Sequence, residues 1–271
     1  MSGARPTTGI VTLAALDVRL RPEHAGEMGS QLLLGEVVRV IRRTAGDRWL
    51  LIENATDRYR GWVRSWGVAL AAPRQVAAWR RRARTRAAAL WMEVRESPGR
   101  GPLVTPLFWG SRVIAGRAEA RFRRVELPDG VRGWVEARGL EPGSARPRPL
   151  QERAKELLGI PYLWGGRTPA GLDCSGLVQM ILAEQGIQVP RDAGDQERAA
   201  RPLPRGGRPR TGDLAFFGPP RGPAGHVGIM VGDGLYLHAR GRVRVNSLHS
   251  DNALYDSELK AQFRSIRRPV S

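Results

Sequence analysis

The tetrapeptide Arg-Gly-Trp-Val occurs at residues 60–63 and again at 132–135. The sequence ahead of each copy keeps one layout. "QLLLGEVVRVIRR" (31–43) leads into "RWLLIENATDRYRGWV" (48–63), and "PLFWGSRVIAG" (106–116) leads into "FRRVELPDGVRGWV" (122–135). Gly35 and Gly110 hold matching places in the two copies. Both copies are short β-rich runs broken by turn residues such as Gly46-Asp47 and Pro128-Asp129-Gly130. Such self-similarity is a duplication signal and restricts the first half of the chain to two small β-barrels of roughly 60 residues each.

An apparent helix over 74–91 joins the copies, and "EPGSARPRP" (141–149), rich in Pro, Gly and Ser, marks a second boundary. Beyond it the pattern changes. "LQERAKELLG" (150–159) reads as a helix closed by Gly159, and a second helix follows Asp173. "DLAFFG" (213–218), "HVGIMVGDG" (226–234), "YLHARG" (236–241) and "VRVNSL" (243–248) then read as strands with tight glycine turns. The expected fold is multidomain: an all-β barrel over 1–72, a helical linker with a second barrel over 73–143, and an α+β domain over 148–271.

Composition narrows the chemistry. The 271 residues include one cysteine and four histidines, which excludes an intrachain disulfide and any cysteine-rich zinc or iron–sulfur site. No metal and no cofactor is expected. The net charge of +18 is almost entirely an arginine surplus, densest in "WRRRARTRAAALW" (79–91). No aromatic-interleaved basic stripe accompanies it, so it is read as solvated surface and no nucleic-acid partner is expected. The N-terminal stretch is interrupted by Thr12 and Asp17 and makes a poor export signal, and no apolar run reaches the length of a membrane span. A cytoplasmic monomer is the expectation.

The single cysteine lies in "GLDCSGLVQMIL" (171–182). Leu177, Val178, Ile181 and Leu182 follow one face of a helix, and Asp173 and Ser175 are residue types that start helices. Cys174 therefore falls in the first turn, where unpaired N–H groups and the helix dipole favour an anion. A thiol so placed, with a cation nearby, is expected to titrate at about 3.5–7.5. Acyl-transfer chemistry also needs a base and a group to orient it. His226 and His238 lie on strands joined by the turn Gly232-Asp233-Gly234, where they can face each other as base and orienter.

"LDCSGLV", "GDLAFFG", "HVGIMVGDG" and "YLHA", in that order, resemble the NlpC/P60 family of cysteine peptidases, a compact papain-like fold; "PYLWGG" (161–166) fits its tyrosine-bearing stretch. The two barrels resemble bacterial SH3 domains, whose "GWV" ending both copies carry. The resemblance implies Cys174 as nucleophile, His226 as base and His238 as third polar member, with Tyr162 near the thiolate. It implies cleavage of the γ-D-glutamyl bond to a diamino acid in murein tri- or tetrapeptides. With two SH3 domains and no export signal, it implies the recycling type, acting on peptides with a free N-terminal L-alanine. Asp173 and Ser175 are candidate contacts to that ammonium, and Glu27, Tyr59 and Trp66 are first-barrel candidates for closing the pocket. Ala193, in "PRDAGDQ" (190–196), stands where a serine is expected. The alternative is a wall- or peptide-binding SH3 scaffold whose papain-like domain is inactive or runs acyltransferase or amidase chemistry; the intact Cys174, His226 and His238 favour the peptidase.

Overall fold

The computed structural model describes residues 7–270 and divides after Arg146 into two compact units. Residues 1–6, part of the stretch read above for an export signal, lie outside the described residues, as does Ser271.

Among the described residues the N-terminal unit holds two antiparallel sheets. The first contains β1 (Thr8–Val11), β2 (Ala15–Arg19), β3 (Met28–Leu33), β4 (Val37–Arg43), β5 (Trp49–Asn54), β6 (Arg60–Arg64) and β7 (Val68–Ala71). Its spatial order is β3-β2-β6-β5-β4-β1-β7. After helix α1 (Pro73–Arg82) come β8 (Thr85–Ala87), β9 (Trp91–Ser97), β10 (Arg100–Phe108), β11 (Arg112–Glu119), β12 (Phe122–Glu126), β13 (Arg132–Glu136) and β14 (Leu140–Pro142). Their order is β10-β9-β13-β12-β11-β8-β14, the first sheet's order strand for strand. The repeated tetrapeptide has a steric cause. A Cβ on Gly61 of β6 would collide with Val18 of β2 and reach the Arg19 carbonyl at 3.0 Å; on Gly133 of β13 it would collide with Val94 of β9 and reach the Arg95 carbonyl at 2.9 Å. Both copies need glycine where that strand crosses its neighbour closely.

The two sheets interlock. Leu34, from the turn after β3, is buried among the second sheet's core residues Val94, Leu107 and Val113. Gly35 beside it has φ +86°, and a Cβ there would collide with the Arg112 carbonyl, so the turn admits only glycine. Its own carbonyl accepts the Trp79 indole N–H at 3.1 Å, fixing α1 at the junction. The helix expected over 74–91 stops at Arg82. Residues 85–87 pair with β11 and β14 instead, and completing the second sheet overrides the helix propensity of an Arg/Ala-rich segment.

The C-terminal unit contains α2 (Leu150–Leu157), the short ladder β15 (Arg167–Thr168) and β16 (Gly171–Leu172), α3 (Cys174–Glu184), α4 (Ala193–Ala199), β17 (Arg201–Pro202), β18 (Leu214–Phe217), β19 (His226–Met230), β20 (Leu235–Arg240), β21 (Arg242–Ser247), α5 (Ser257–Ala261) and β22 (Phe263–Arg268). Its six-stranded antiparallel sheet has the order β17-β22-β18-β19-β20-β21. The strands expected between 213 and 248 form the meander β18 to β21. β22 was not expected: "FRSIRR" carries too many arginines to read as a central strand, yet it pairs with β18 and β17. β20 and β21 meet at a very tight turn, with Arg240 opposite Arg242 and Gly241 at φ +71°.

Helix α3 is not amphipathic in place. Every residue but Ala183 is buried, and the helix packs on β19 and β20. Its far end is tied to α2 by the buried Arg153, which donates to both carboxylate oxygens of Glu184 at 2.9 and 2.7 Å.

The tetrapeptide glycines make a testable point. Gly61→Ala and Gly133→Ala should each lower stability by about 1–3 kcal/mol, the cost of overpacking. Gly116→Ala, where a Cβ meets nothing closer than 3.5 Å, should be near neutral. Urea unfolding midpoints at constant m-value measure both.

Candidate active site

The start of α3 is built around one carboxylate. Asp173 is the helix N-cap, and its Oδ1 accepts the Gly176 N–H at 2.6 Å. Oδ2 accepts the Gly165 N–H at 2.9 Å. Arg191, itself buried, donates to Oδ1 at 3.1 Å and to Oδ2 at 2.5 Å, and also to the Ser175 hydroxyl at 2.8 Å. That hydroxyl donates back to Asp173 Oδ1. Gln196 of α4 completes the frame by donating to the carbonyls of Ser175 and Pro190.

Cys174, the first helical residue, is held over this frame and only 7% exposed. The backbone N–H groups of Val227 and Ser175 donate toward its sulfur. The thiol is nevertheless pushed up to about 11, by burial first and by the Asp173 carboxylate next. The lowered value expected at a helix N-terminus is therefore not found. Two N–H groups and a dipole do not offset the loss of water and an adjacent negative charge.

Behind the cysteine runs a line of side chains across three strands. His226 Nε2 lies 2.8 Å from His238 Nδ1, and His238 Nε2 lies 2.7 Å from Asn246 Oδ1. Asn246 Nδ2 donates to the Leu254 carbonyl at 2.7 Å. The register sets His238 opposite Gly228, and Tyr236 opposite Asn246. The histidines thus meet on the diagonal, displaced by two residues, and do not face each other directly as expected. The diagonal is open because residue 228 is glycine: a Cβ there would approach the Tyr236 ring at 2.8 Å and His238 Cβ at 3.2 Å. Phe217, opposite His226 in β18, packs its ring at 5.7 Å from the imidazole, and Tyr236 packs at 5.1 Å from His238.

Burial, together with the guanidinium groups of Arg240 and Arg244, keeps both imidazoles uncharged. His226 is pushed down to about 3 and His238 to about 4, although the Asn246 bond pulls the latter partly back.

Tyr162 is anchored by its backbone N–H to the Gly241 carbonyl at 2.9 Å and bridges to Leu172 just ahead of Asp173. Burial raises its phenol to about 12, with Cys174 and Asp173 the next largest influences, so it shares their surroundings as a neutral O–H donor.

Asp173 and Ser175 take the helix-start place that their residue types predict. Their polar atoms face the chain's own Arg191 and amides, and the carboxylate is paired with the Arg191 guanidinium. Ala193 is buried as the first residue of α4, so no hydroxyl is presented there. Glu27, Tyr59 and Trp66 belong to the N-terminal unit. Glu27 is exposed between β2 and β3; Tyr59 packs on the first barrel's core; Trp66 is 63% exposed in the turn after β6, with the Arg64 guanidinium 6.0 Å from its ring. The residues missed from sequence are Arg191, Gln196 and Asn246. Among 44 basic residues one structural arginine has no signal, and Asn246 shares its face of β21 with Arg242 and Arg244, so alternation reads it as surface. Among the described residues no group of His, Cys, Asp and Glu could hold a metal, and no helix is long and apolar enough to cross a membrane.

A cysteine at a helix start beside a two-histidine relay is the arrangement of a thiol peptidase, and the comparisons agree. Residues 159–262 match the NlpC/P60 family, and residues 18–66 match the bacterial dipeptidyl-peptidase SH3 domain, so the chain carries both. A γ-D-glutamyl-L-lysine dipeptidyl-peptidase of Bacillus subtilis (strain 168) is 40% identical over 107 residues, 38% of this chain. That match spans about a third of the relative, 36% of its length. Dipeptidyl-peptidase 6 of Lysinibacillus sphaericus is 27% identical over 95% of this chain and 97% of its own. The crystal structure of an NlpC/P60 family protein from Bacillus cereus superposes over 97% of this chain and all of its own, with a TM-score of 0.80 at 19% identity, a likeness of fold.

The buried histidines predict how stability depends on pH. Their folded values lie below the unfolded 6.5, so between about 6.5 and 3 the unfolded chain binds protons that the folded chain does not. Stability should fall as pH drops below 6.5 and this contribution should level off below about 3. Urea midpoints from pH 7 to 4 should show the decline, and His238→Gln should flatten it.

Proposed function

We propose that this chain is a cysteine peptidase that hydrolyses the γ-D-glutamyl bond to the diamino acid of free murein peptides in peptidoglycan recycling. The observation that carries the reading is Cys174 at the head of a buried helix, with the His226–His238 pair on the strands beneath it. The relatives named for γ-D-glutamyl peptides support the substrate class. The identical strand order of the two N-terminal sheets supports reading the second as another SH3-like barrel. The recycling role carries with it a cytoplasmic place of action.

In this reading His226 Nδ1, the nitrogen not engaged by His238, takes the thiol proton as sulfur attacks the γ-carbonyl carbon. The resting pair is neutral, so proton transfer accompanies the attack. The oxyanion forms at the N-terminus of α3, where the Cys174 N–H and the neutral Tyr162 hydroxyl are the donors. His226 then gives its proton to the departing amine, leaving a thioester that water cleaves with His226 again as base.

A free L-alanine ammonium is the expected recognition feature, and Glu27 and Trp66 stay in the proposal as substrate contacts. Asp173 and Ser175 hold the helix start, with Asp173 paired to Arg191, and both stay in the proposal as contacts to that ammonium.

The test is hydrolysis of L-Ala-γ-D-Glu-diaminopimelate followed by mass spectrometry, with the N-acetylated peptide alongside. Cys174→Ala should abolish turnover with the unfolding midpoint unchanged, and His226→Ala should cost nearly as much, since the pair acts as one unit. A chelator should have no effect. Retention of a tenth of the turnover by Cys174→Ala would rule out thiol catalysis. Acetylation should lower kcat/KM by about 100-fold or more, and Glu27→Gln should narrow that gap. Equal rates on both peptides would remove the recycling assignment and leave the peptidase.

A further inference from the structure

We propose that Asn246, held by the Leu254 carbonyl, is a positioning residue that sets the tautomer of both histidines and so leaves His226 with a bare nitrogen for the thiol. The far end of the relay is fixed by the backbone. A backbone carbonyl only accepts, so the atom of Asn246 that faces Leu254 at 2.7 Å must be its NH2. The amide oxygen is thereby turned to His238, 2.7 Å from Nε2, and it too only accepts. His238 must carry its proton on Nε2. Being neutral, it has a bare Nδ1, which accepts from His226 Nε2 across 2.8 Å. His226 then carries its own proton on Nε2, and Nδ1 is left as the acceptor.

Without Asn246 nothing in this line fixes the sense. The two rings could shift both protons and keep their mutual hydrogen bond, with His238 donating from Nδ1. His226 would then carry a proton on Nδ1 and could no longer accept one from sulfur. Leu254 is a suitable anchor because its carbonyl is itself fixed. It accepts the Ser247 N–H at 2.9 Å, and the Leu254 N–H is held by the Asn252 side chain at 2.9 Å. The charged groups around His238 are Arg240 on β20, Arg244 on β21 and Asp256 ahead of α5, where Asp256 is paired with both arginines. None of them is hydrogen-bonded to either imidazole nitrogen among the contacts described.

The inference concerns proton placement, so it can be tested apart from the substrate reading on which its catalytic meaning rests. Nitrogen-15 NMR of the labelled full chain at pH 7 reads each imidazole nitrogen directly. Both Nε2 atoms should be protonated and both Nδ1 atoms bare. In Asn246→Ala the signals should move toward a mixture of tautomers, and kcat on the tripeptide should fall about 30-fold or more with KM within about twofold, since a wrongly placed tautomer in a comparable triad costs up to ~10⁴ in kcat. Asn246→Asp keeps an acceptor for His238, so it should keep the wild-type tautomers and recover most of kcat. It should also move the acidic limb of the rate profile upward by about one pH unit, because a new carboxylate favours the protonated imidazole. A merely structural Asn246 predicts the reverse order, since Asp buries a carboxylate against the Leu254 carbonyl where Ala only removes the bond. A protonated Nδ1 on His226 in the wild-type chain overturns the proposal whatever the variants do. So does an Asn246→Ala protein with unchanged tautomers or a kcat within twofold of wild type.

Discussion

The buried pair of Asp173 and Arg191 holds the ground on which the catalytic half is built. Two charges withdrawn from water are costly unless nearly every donor and acceptor finds a partner. Here the carboxylate takes two backbone N–H groups, a hydroxyl and a two-pronged guanidinium. The bonds reach Gly165 on one side, Gly176 on the helix, and through Arg191 the segment leading into α4. One interaction therefore fixes the loop before the cysteine, the helix that carries it and the chain that follows. It also adds to the thiol's high value, which burial sets first, since the same carboxylate that organises the site opposes a negative charge on its neighbour.

That opposition shapes the chemistry. A thiol raised to about 11 and an imidazole lowered to about 3 rest as a neutral couple, not as an ion pair. The charge separation belongs to the reaction itself, where the forming oxyanion and the helix N-terminus receive it. The ordering of protons behind His226 then matters more than the resting affinity of any one group for a proton.

Much of this was legible in the sequence because the informative residues are scarce. One cysteine and two histidines on neighbouring strands leave few ways to assemble a nucleophile and a base, and the repeated Arg-Gly-Trp-Val marks two copies of one sheet. What was not legible depends on partners distant in the chain. Residues 85–87 lie in a segment that favours a helix locally and become strand because they pair with β11 and β14. The sequence of β22 looks like surface until it is seen between β17 and β18. Arg191 is one arginine among many, and only the buried carboxylate it meets sets it apart. The thiol's acidity went the other way from expectation because a helix start is visible in sequence and the depth of burial is not.

The turn at Gly241 has a reach beyond its size. It fixes how β20 slides against β21, and so whether His238 lies diagonal to Asn246 or a residue out of step, on the opposite face. Its carbonyl also holds the backbone of Tyr162. The proton relay and the oxyanion side of the site are thus hung from a single peptide unit. A lengthened turn there would displace both together, so this hairpin has little room to vary in length.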